Sequence, residues 1–294
     1  VNRGKFFNRH IMSGELTYTF QPSATLKHVV SPIILEYDYM NRVSDEFKQL
    51  IEKNPYLYIS MQDQFIPQMR YTLMYTSRDQ QNSPLTWKTT VAESSNILSL
   101  GYLAAGRSWN EQGKKLFKNP YAQFLKVETD LTKQGRVSDR STVVAHVNAG
   151  VIWSYGNSKA APYSEQFYVG GANSIRAFTV RSIGPGSYHT EVAGLSYLDQ
   201  TGDIKLVANL EYRPRLFGNL YGAVFVDAGN VWAMRDDGIR GEASVFKPKN
   251  FLRDLALATG IGIRYDLSFF VIRLDWGIGL HMPFDTGKSG YFNI

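Results

Sequence analysis

Ile272-Arg273-Leu274-Asp275-Trp276-Gly277-Ile278-Gly279-Leu280-His281 alternates without a break. Ile272, Leu274, Trp276, Ile278 and Leu280 are apolar, while Arg273, Asp275, Gly277, Gly279 and His281 are charged, polar or small. Successive side chains of a β-strand point to opposite faces, so this stretch predicts a strand with one apolar and one polar face. The same period recurs upstream. Ile204, Leu206, Ala208, Leu210 and Tyr212 oppose Lys205, Asn209, Glu211 and Arg213. Val143, Ala145, Val147, Ala149, Val151 and Trp153 oppose His146, Asn148 and Gly150. Leu125–Leu131, Leu16–Phe20, Ile33–Tyr39 and Phe65–Tyr75 follow suit, and about eleven such segments can be counted. Many approach the ~10 residues of a tilted membrane strand. Trp87–Leu98 is the least regular, because Glu93 interrupts it. Tyr291–Ile294 would be a short last strand, and Gly4–Gln21 is long enough for two pairing segments.

The spacing between segments carries a second signal. Connections at 41–62, 100–120, 157–202 and 233–252 are long, whereas those at 77–84, 134–140, 214–218 and 266–269 are short. Bacterial outer-membrane barrels pair long extracellular loops with short periplasmic turns. A soluble β-sandwich has no cause to keep that asymmetry, and its apolar faces would pack on each other. Aromatic residues near strand ends fit the girdles at a membrane's two interfaces. The expected fold is therefore all-β, a transmembrane antiparallel β-barrel with about 11–12 strands in this chain. One long connection should hold a helix, with Ser44 as its cap, Asp45 and Glu46 in its first turn, Phe47, Leu50 and Ile51 as its apolar stripe, and Pro55 beyond its end.

Composition agrees with this and limits the chemistry. The 294 residues are 44% hydrophobic, with 18 Tyr, 17 Phe and 25 Gly. There is no Cys, which excludes disulfides and thiolate metal sites. No run approaches the ~20 apolar residues of a transmembrane helix, but closed barrels also satisfy every backbone group in lipid. The net charge of +6 is spread along the chain, with Lys114, Lys115 and Lys118 the tightest cluster, so a nucleic-acid partner is not expected. No metal-ligand or phosphate-cradling spacing occurs, and no cofactor is expected. Gly260 and Gly262 lie mid-strand, where small residues make room for something packed on them. The five His residues, His10, His28, His146, His189 and His281, form no Ser-His-acid grouping. His146 shares its face with Asn148 and has Val144, not Ser, two residues away. An outer-membrane hydrolase is thus disfavoured, and no enzymatic activity is expected.

The longest connection contains Gly170-Gly171, then Ile175-Arg176-Ala177-Phe178, then Gly184-Pro185. Asn209-Leu-Glu-Tyr-Arg213 and Gly222-Ala-Val-Phe-Val-Asp-Ala-Gly-Asn-Val-Trp232 follow, then Gly260-Ile-Gly-Ile-Arg-Tyr-Asp266. With these motifs the chain resembles the C-terminal barrel of the BamA/TamA family of outer-membrane assembly factors, the bacterial surface antigen family. The long connections at 41–62 and 100–120 look most like its lipoprotein (TamL-like) branch in Bacteroidetes-type bacteria. The resemblance implies that residues 1–294 are the C-terminal part of a 16-stranded barrel, starting around the sixth strand. It implies that 157–202 is an extracellular loop folded into the lumen. There Arg176 would be held by Glu211, Phe225 and Asp227. Alternation independently places Glu211, Phe225 and Asp227 on the inward face. Ala177 departs from the family, which usually has Gly there; a positive φ at this position would strain Ala.

The function implied is insertion or translocation of proteins at the outer membrane of a Gram-negative bacterium. The implied partners are membrane lipids, unfolded outer-membrane protein clients, and periplasmic or accessory assembly proteins. The implied mechanism is addition of client strands by β-augmentation, with no covalent chemistry. A two-partner secretion pore exporting one dedicated client shares the arginine loop and remains open. A passive porin is disfavoured by the length of the 157–202 connection.

Overall fold

The computed structural model describes residues 7–52, 58, 60–77, 83–189 and 200–284. Its strands are β1 (Phe7–Ser23), β2 (Leu26–Val43), β3 (Gln64–Thr76), β4 (Leu85–Ser94), β5 (Lys115–Leu116), β6 (Asn119–Pro120), β7 (Phe124–Ser138), β8 (Ser141–Ser154), β9 (Ile204–Phe217), β10 (Leu220–Trp232), β11 (Ala256–Asp266) and β12 (Val271–His281). Helices α1 (Asp45–Glu52), α2 (Asn96–Ala104) and the single turn α3 (Phe251–Asp254) lie in the connections. Ten strands form one antiparallel sheet in chain order, with β5 and β6 as a separate hairpin between β4 and β7. Among the described residues β1 and β12 are the edges of this sheet. Among the described residues no helix is long and apolar enough to cross a membrane.

The burial pattern is the reverse of a soluble protein's. On β10, Val224 and Val226 are 51% and 45% exposed, while their inward neighbours Phe225 and Asp227 are 1% and 0% exposed. Ile261, Ile263 and Tyr265 on β11, and Ile272, Leu274 and Trp276 on β12, continue the exposed apolar surface. Buried Glu211 and Arg264 lie on the opposite face. A contiguous apolar surface spanning many strands is far larger than soluble monomers tolerate, and it suits hydrocarbon as solvent.

The connections alternate as the spacing predicts. The β7–β8 and β9–β10 turns are shorter than expected: β7 runs on through Ser138, and β9 through Phe217. Two further expectations need correction, and a third falls outside the described residues. First, residues 7–23 form one strand, paired along its length with β2 despite register shifts, not two segments. Second, the Trp87–Leu98 segment stops as a strand at Ser94. Ser95 adopts φ 63°, its N–H still reaches Pro67 O at 3.0 Å, and α2 begins at the next residue. The apolar run of α2 fits strand and helix patterns alike, so periodicity did not separate them. Third, the proposed short strand at Tyr291–Ile294 lies outside the described residues. Helix α1 starts where expected: Ser44 Oγ accepts the Phe47 N–H at 3.2 Å, and the buried Phe47 ring packs 4.6 Å from Phe7. The Leu50 and Ile51 side chains and Pro55 lie outside the described residues.

Candidate functional site

Four strands build a shelf for the long loop. Across β9, β10, β11 and β12 one inward row reads Glu211, Phe225, Gly260, Gly277, and the next reads Asn209, Asp227, Ala258, Gly279. The charged and aromatic residues stand on β9 and β10, and small residues follow on β11 and β12. A Cβ on Gly277 would lie 3.1 Å from Ala177 Cβ, and one on Gly279 would lie 2.9 Å from the Phe178 ring. The absence of side chains there is what lets the loop approach.

The loop reaches this shelf as a tight hairpin. Gly171 N–H donates to Phe178 O at 2.8 Å and Arg181 N–H to Val169 O at 2.9 Å. Gly170 takes φ 95°, and any Cβ there would collide with Thr179 O. Ile175 is fully buried and Phe178 is 7% exposed. Gly184 and Pro185, joined by a cis peptide, carry the chain to the end of β10, where Gly186 N–H donates to Val231 O at 2.7 Å.

Arg176 stands at the centre. Its backbone N–H and Nε donate to Asp227 Oδ2 at 3.0 and 2.7 Å, and Nη2 donates to Asp227 Oδ1 at 2.8 Å. Nη1 donates to Glu211 Oε2 at 2.5 Å. The guanidinium carbon lies 3.4 Å from the Phe225 ring centroid. The planar fork thus satisfies two carboxylates while stacking on an aromatic face, which an ammonium group cannot do. The structure brings together Arg176, Glu211, Phe225 and Asp227, and it places Ile175, Ala177 and Phe178 around them. Ala177 adopts φ 75°, the left-handed region that glycine favours.

Several partners were not singled out from sequence. Arg264 donates to Glu211 through Nε and Nη2 at 3.2 and 3.0 Å, and its Nη1 pairs with Asp275 at 2.7 Å. Arg213 Nε donates to Glu211 Oε1 at 2.7 Å. Arg273 Nη2 grips the loop tip at Ala172 O and Asn173 Oδ1, 2.6 and 2.7 Å away. Asn209 Nδ2 donates to Ser174 O and to Asp227 Oδ1, at 2.7 and 2.8 Å. Inward parity was the available signal for Arg264 and Arg273. The strand stagger that brings Arg264 onto Glu211 is not contained in parity.

The loop is tied at its outer end as well. Lys126 and Lys205 each sit 5.0 Å from the Phe167 ring centroid. Beside the outer end of β8, a cavity of about 250 Å³ is lined in part by Ser154, Asp203 and Asp237. Burial pushes the Asp203 carboxyl up; it accepts the Met234 N–H at 3.0 Å. Burial opposes the charge of Asp237 too, but Arg240 beside it holds that carboxyl below its ordinary range. Among the described residues no group of His, Cys, Asp or Glu is arranged to hold a metal ion.

The model of the Omp85 superfamily domain matches residues 36–294. The chain belongs to the Omp85 superfamily. Solved Omp85-like barrels share the fold: BamA from Haemophilus ducreyi lacking POTRA domains 1-3 superposes with a TM-score of 0.65 at 15% identity, over 94% of this chain and 52% of that one. CdiB from Escherichia coli superposes with a TM-score of 0.55 at 14% identity, over 94% of this chain and 42% of that one. Among curated proteins, the sorting and assembly machinery component 50 homologs of Xenopus tropicalis and Homo sapiens are 31% and 32% identical over 111 residues, 37% of this chain. The matched region spans 23% of the length of those relatives.

Proposed function

We propose that this chain forms barrel wall and internal loop of a Gram-negative outer-membrane protein that inserts client β-barrels, without enzymatic chemistry. The observation that carries the reading is the seated loop. Arg176 fastens a long extracellular connection against the inner face of β9–β12, where a passive pore would keep open space. A wall so braced can hold its shape while another part of the protein engages a client strand through main-chain hydrogen bonds. Membership of the Omp85 superfamily supports insertion or translocation as the class of activity.

The test is reconstitution of the whole protein in liposomes with a urea-unfolded outer-membrane protein as client. Faster appearance of folded, protease-resistant client in the bilayer than in empty liposomes is expected. Arg176→Ala should reduce that gain. No acceleration over empty liposomes would overturn the proposal. Recovery of client as soluble protein across the membrane, with none folded in the bilayer, would replace insertion by export.

A further inference from the structure

The connection between β4 and β7 does not rise away from the sheet like a free extracellular loop. It is tied to outward-facing residues at three points. Leu85, Trp87, Thr89, Val91 and Glu93 share the outward face of β4, and Glu93 Oε2 accepts the Asn96 N–H at the start of α2 at 3.2 Å. The hairpin of β5 and β6 meets outward residues of β2 and β3. Asn119 Nδ2 donates to Tyr37 Oη at 3.3 Å, and the Phe117 ring lies edge-on, 5.8 Å from Phe65. Phe65 continues a row of outward rings, stacked 4.6 Å from Tyr37, itself 5.3 Å from Tyr39.

What this segment shows to its surroundings is apolar. Helix α2 is fastened on one side only, where the buried Ser99 hydroxyl bonds Tyr121 Oη at 3.0 Å and Gln123 Oε1 at 2.8 Å. Its other sides expose Ile97 (63%), Leu100 (55%) and Leu103 (48%), and it contains no charged residue. Phe117, at the hairpin tip, is 80% exposed. The nearby lysines divide. Lys114 is buried, its ammonium donating to the carbonyls of Ser108 and Trp109 at 3.3 and 2.9 Å, whereas Lys115 and Lys118 are exposed around Phe117. Exposed Leu, Ile and Phe beside free Lys, at the rim of an apolar band, is the pattern of an element lying in a membrane interface.

We infer that residues 96–120 are a membrane-seated collar: α2 and Phe117 insert into the outer leaflet, and Lys115 and Lys118 engage anionic lipid headgroups. The inference rests on reading the apolar face of the sheet as lipid-facing. Continuity with that face selects lipid as occupant, because Glu93, Tyr37 and Phe65, which anchor the segment, are themselves outward residues at the strand ends.

Single-label fluorescence separates the two readings. This sequence has no native Cys, so Leu100→Cys, Phe117→Cys, Val224→Cys and Glu242→Cys can each carry one environment-sensitive probe in the whole protein. The vesicles are phosphatidylcholine, with or without phosphatidylglycerol, and contain nitroxide-labelled acyl chains. Probes at Leu100 and Phe117 should lose fluorescence to the nitroxide, as the strand probe at Val224 does. The probe at Glu242, in the β10–β11 connection, should respond to aqueous iodide instead. Phosphatidylglycerol should deepen the loss at Phe117, and Lys115→Glu with Lys118→Glu should abolish that increment. Iodide quenching at Leu100 and Phe117, with Val224 lipid-quenched, would overturn the collar and leave the barrel intact. A Val224 probe open to iodide would overturn the membrane reading and the collar with it. Shielding of Leu100 and Phe117 from both quenchers would mean that protein covers the segment, which also overturns the proposal. Absence of any phosphatidylglycerol effect would overturn the role of the lysines.

Discussion

Strands β1 and β10 belong to one sheet and share one rule of alternation, yet their inward faces differ. On β10 the inward Phe225 and Asp227 are buried to the last atom or nearly so. On β1 Arg9 is buried, but from Ile11 onward the inward face opens: Ile11 is 44% exposed, and Glu15 and Thr17 are open along with it. The outward faces do not distinguish them: Leu16 and Tyr18 on β1 are as exposed as Val224 on β10. The difference is the loop. Where it lies, the inner face becomes a packed interior with charges, rings and small residues in fixed places. Elsewhere the same alternation leaves a polar surface with little upon it. Amphipathic pattern alone therefore makes the wall, and the loop sequence makes the site.

The largest expected effect breaks this difference outright. Arg176→Ala takes the ion-pair partner from Asp227, which is 0% exposed, and one of three arginines from Glu211, and the loss of a buried partner costs about 3–5 kcal/mol. The temperature at which the folded form loses its compact migration on a gel should fall accordingly, and Arg176→Lys should recover only part. An unchanged temperature would mean the arginine does not hold the loop. Arg264→Ala should cost less, about 1–3 kcal/mol, because Glu211 keeps Arg176 and Arg213 as donors. Urea titration of the folded protein in micelles reads that difference.

Glycine replacements sharpen the comparison between regions. Gly279→Val pushes into the Phe178 ring and should destabilise by about 1–3 kcal/mol, while Gly14→Val, on the outward face of β1 and away from the loop, meets nothing within 4 Å and should stay within about 0.5 kcal/mol of the parent. Equal losses at both positions would show that the loop does not press on β12. The smallest effect has the opposite sign. Ala177→Gly removes a Cβ from a residue held at φ 75° and should stabilise by about 0.5–1 kcal/mol, visible as a raised urea midpoint.

Much of the wall was legible because period-two alternation is strict where lipid meets one face and polar packing the other. Ile272–His281 shows this most plainly. The helix at Asn96–Ala104 was not legible, since an apolar run beside a membrane satisfies strand and helix alike. Its start depends on Ser95 turning left-handed and on the Glu93 carboxylate, which are tertiary facts. At the site, Glu211, Phe225 and Asp227 were on the inward face by parity alone. Their association with Arg176 came from resemblance, since no spacing rule carries a loop across strands. Arg264 shares the parity of Gly260 and Gly262, but its reach to Glu211 depends on stagger across β9–β11.

The arginine cluster also fixes an order of events. Arg176 needs Glu211 from β9 and Asp227 from β10, and the loop tip needs Arg273, a hundred positions further along the chain than Asn173. These are contacts of long sequence separation, formed only after the chain ends between them have met. The loop tip precedes the strands that grip it, β9 to β12, so the tip must wait unfastened until β12 arrives. Its seating is then a late checkpoint, closing only on a wall whose strands β9 to β12 are already in register.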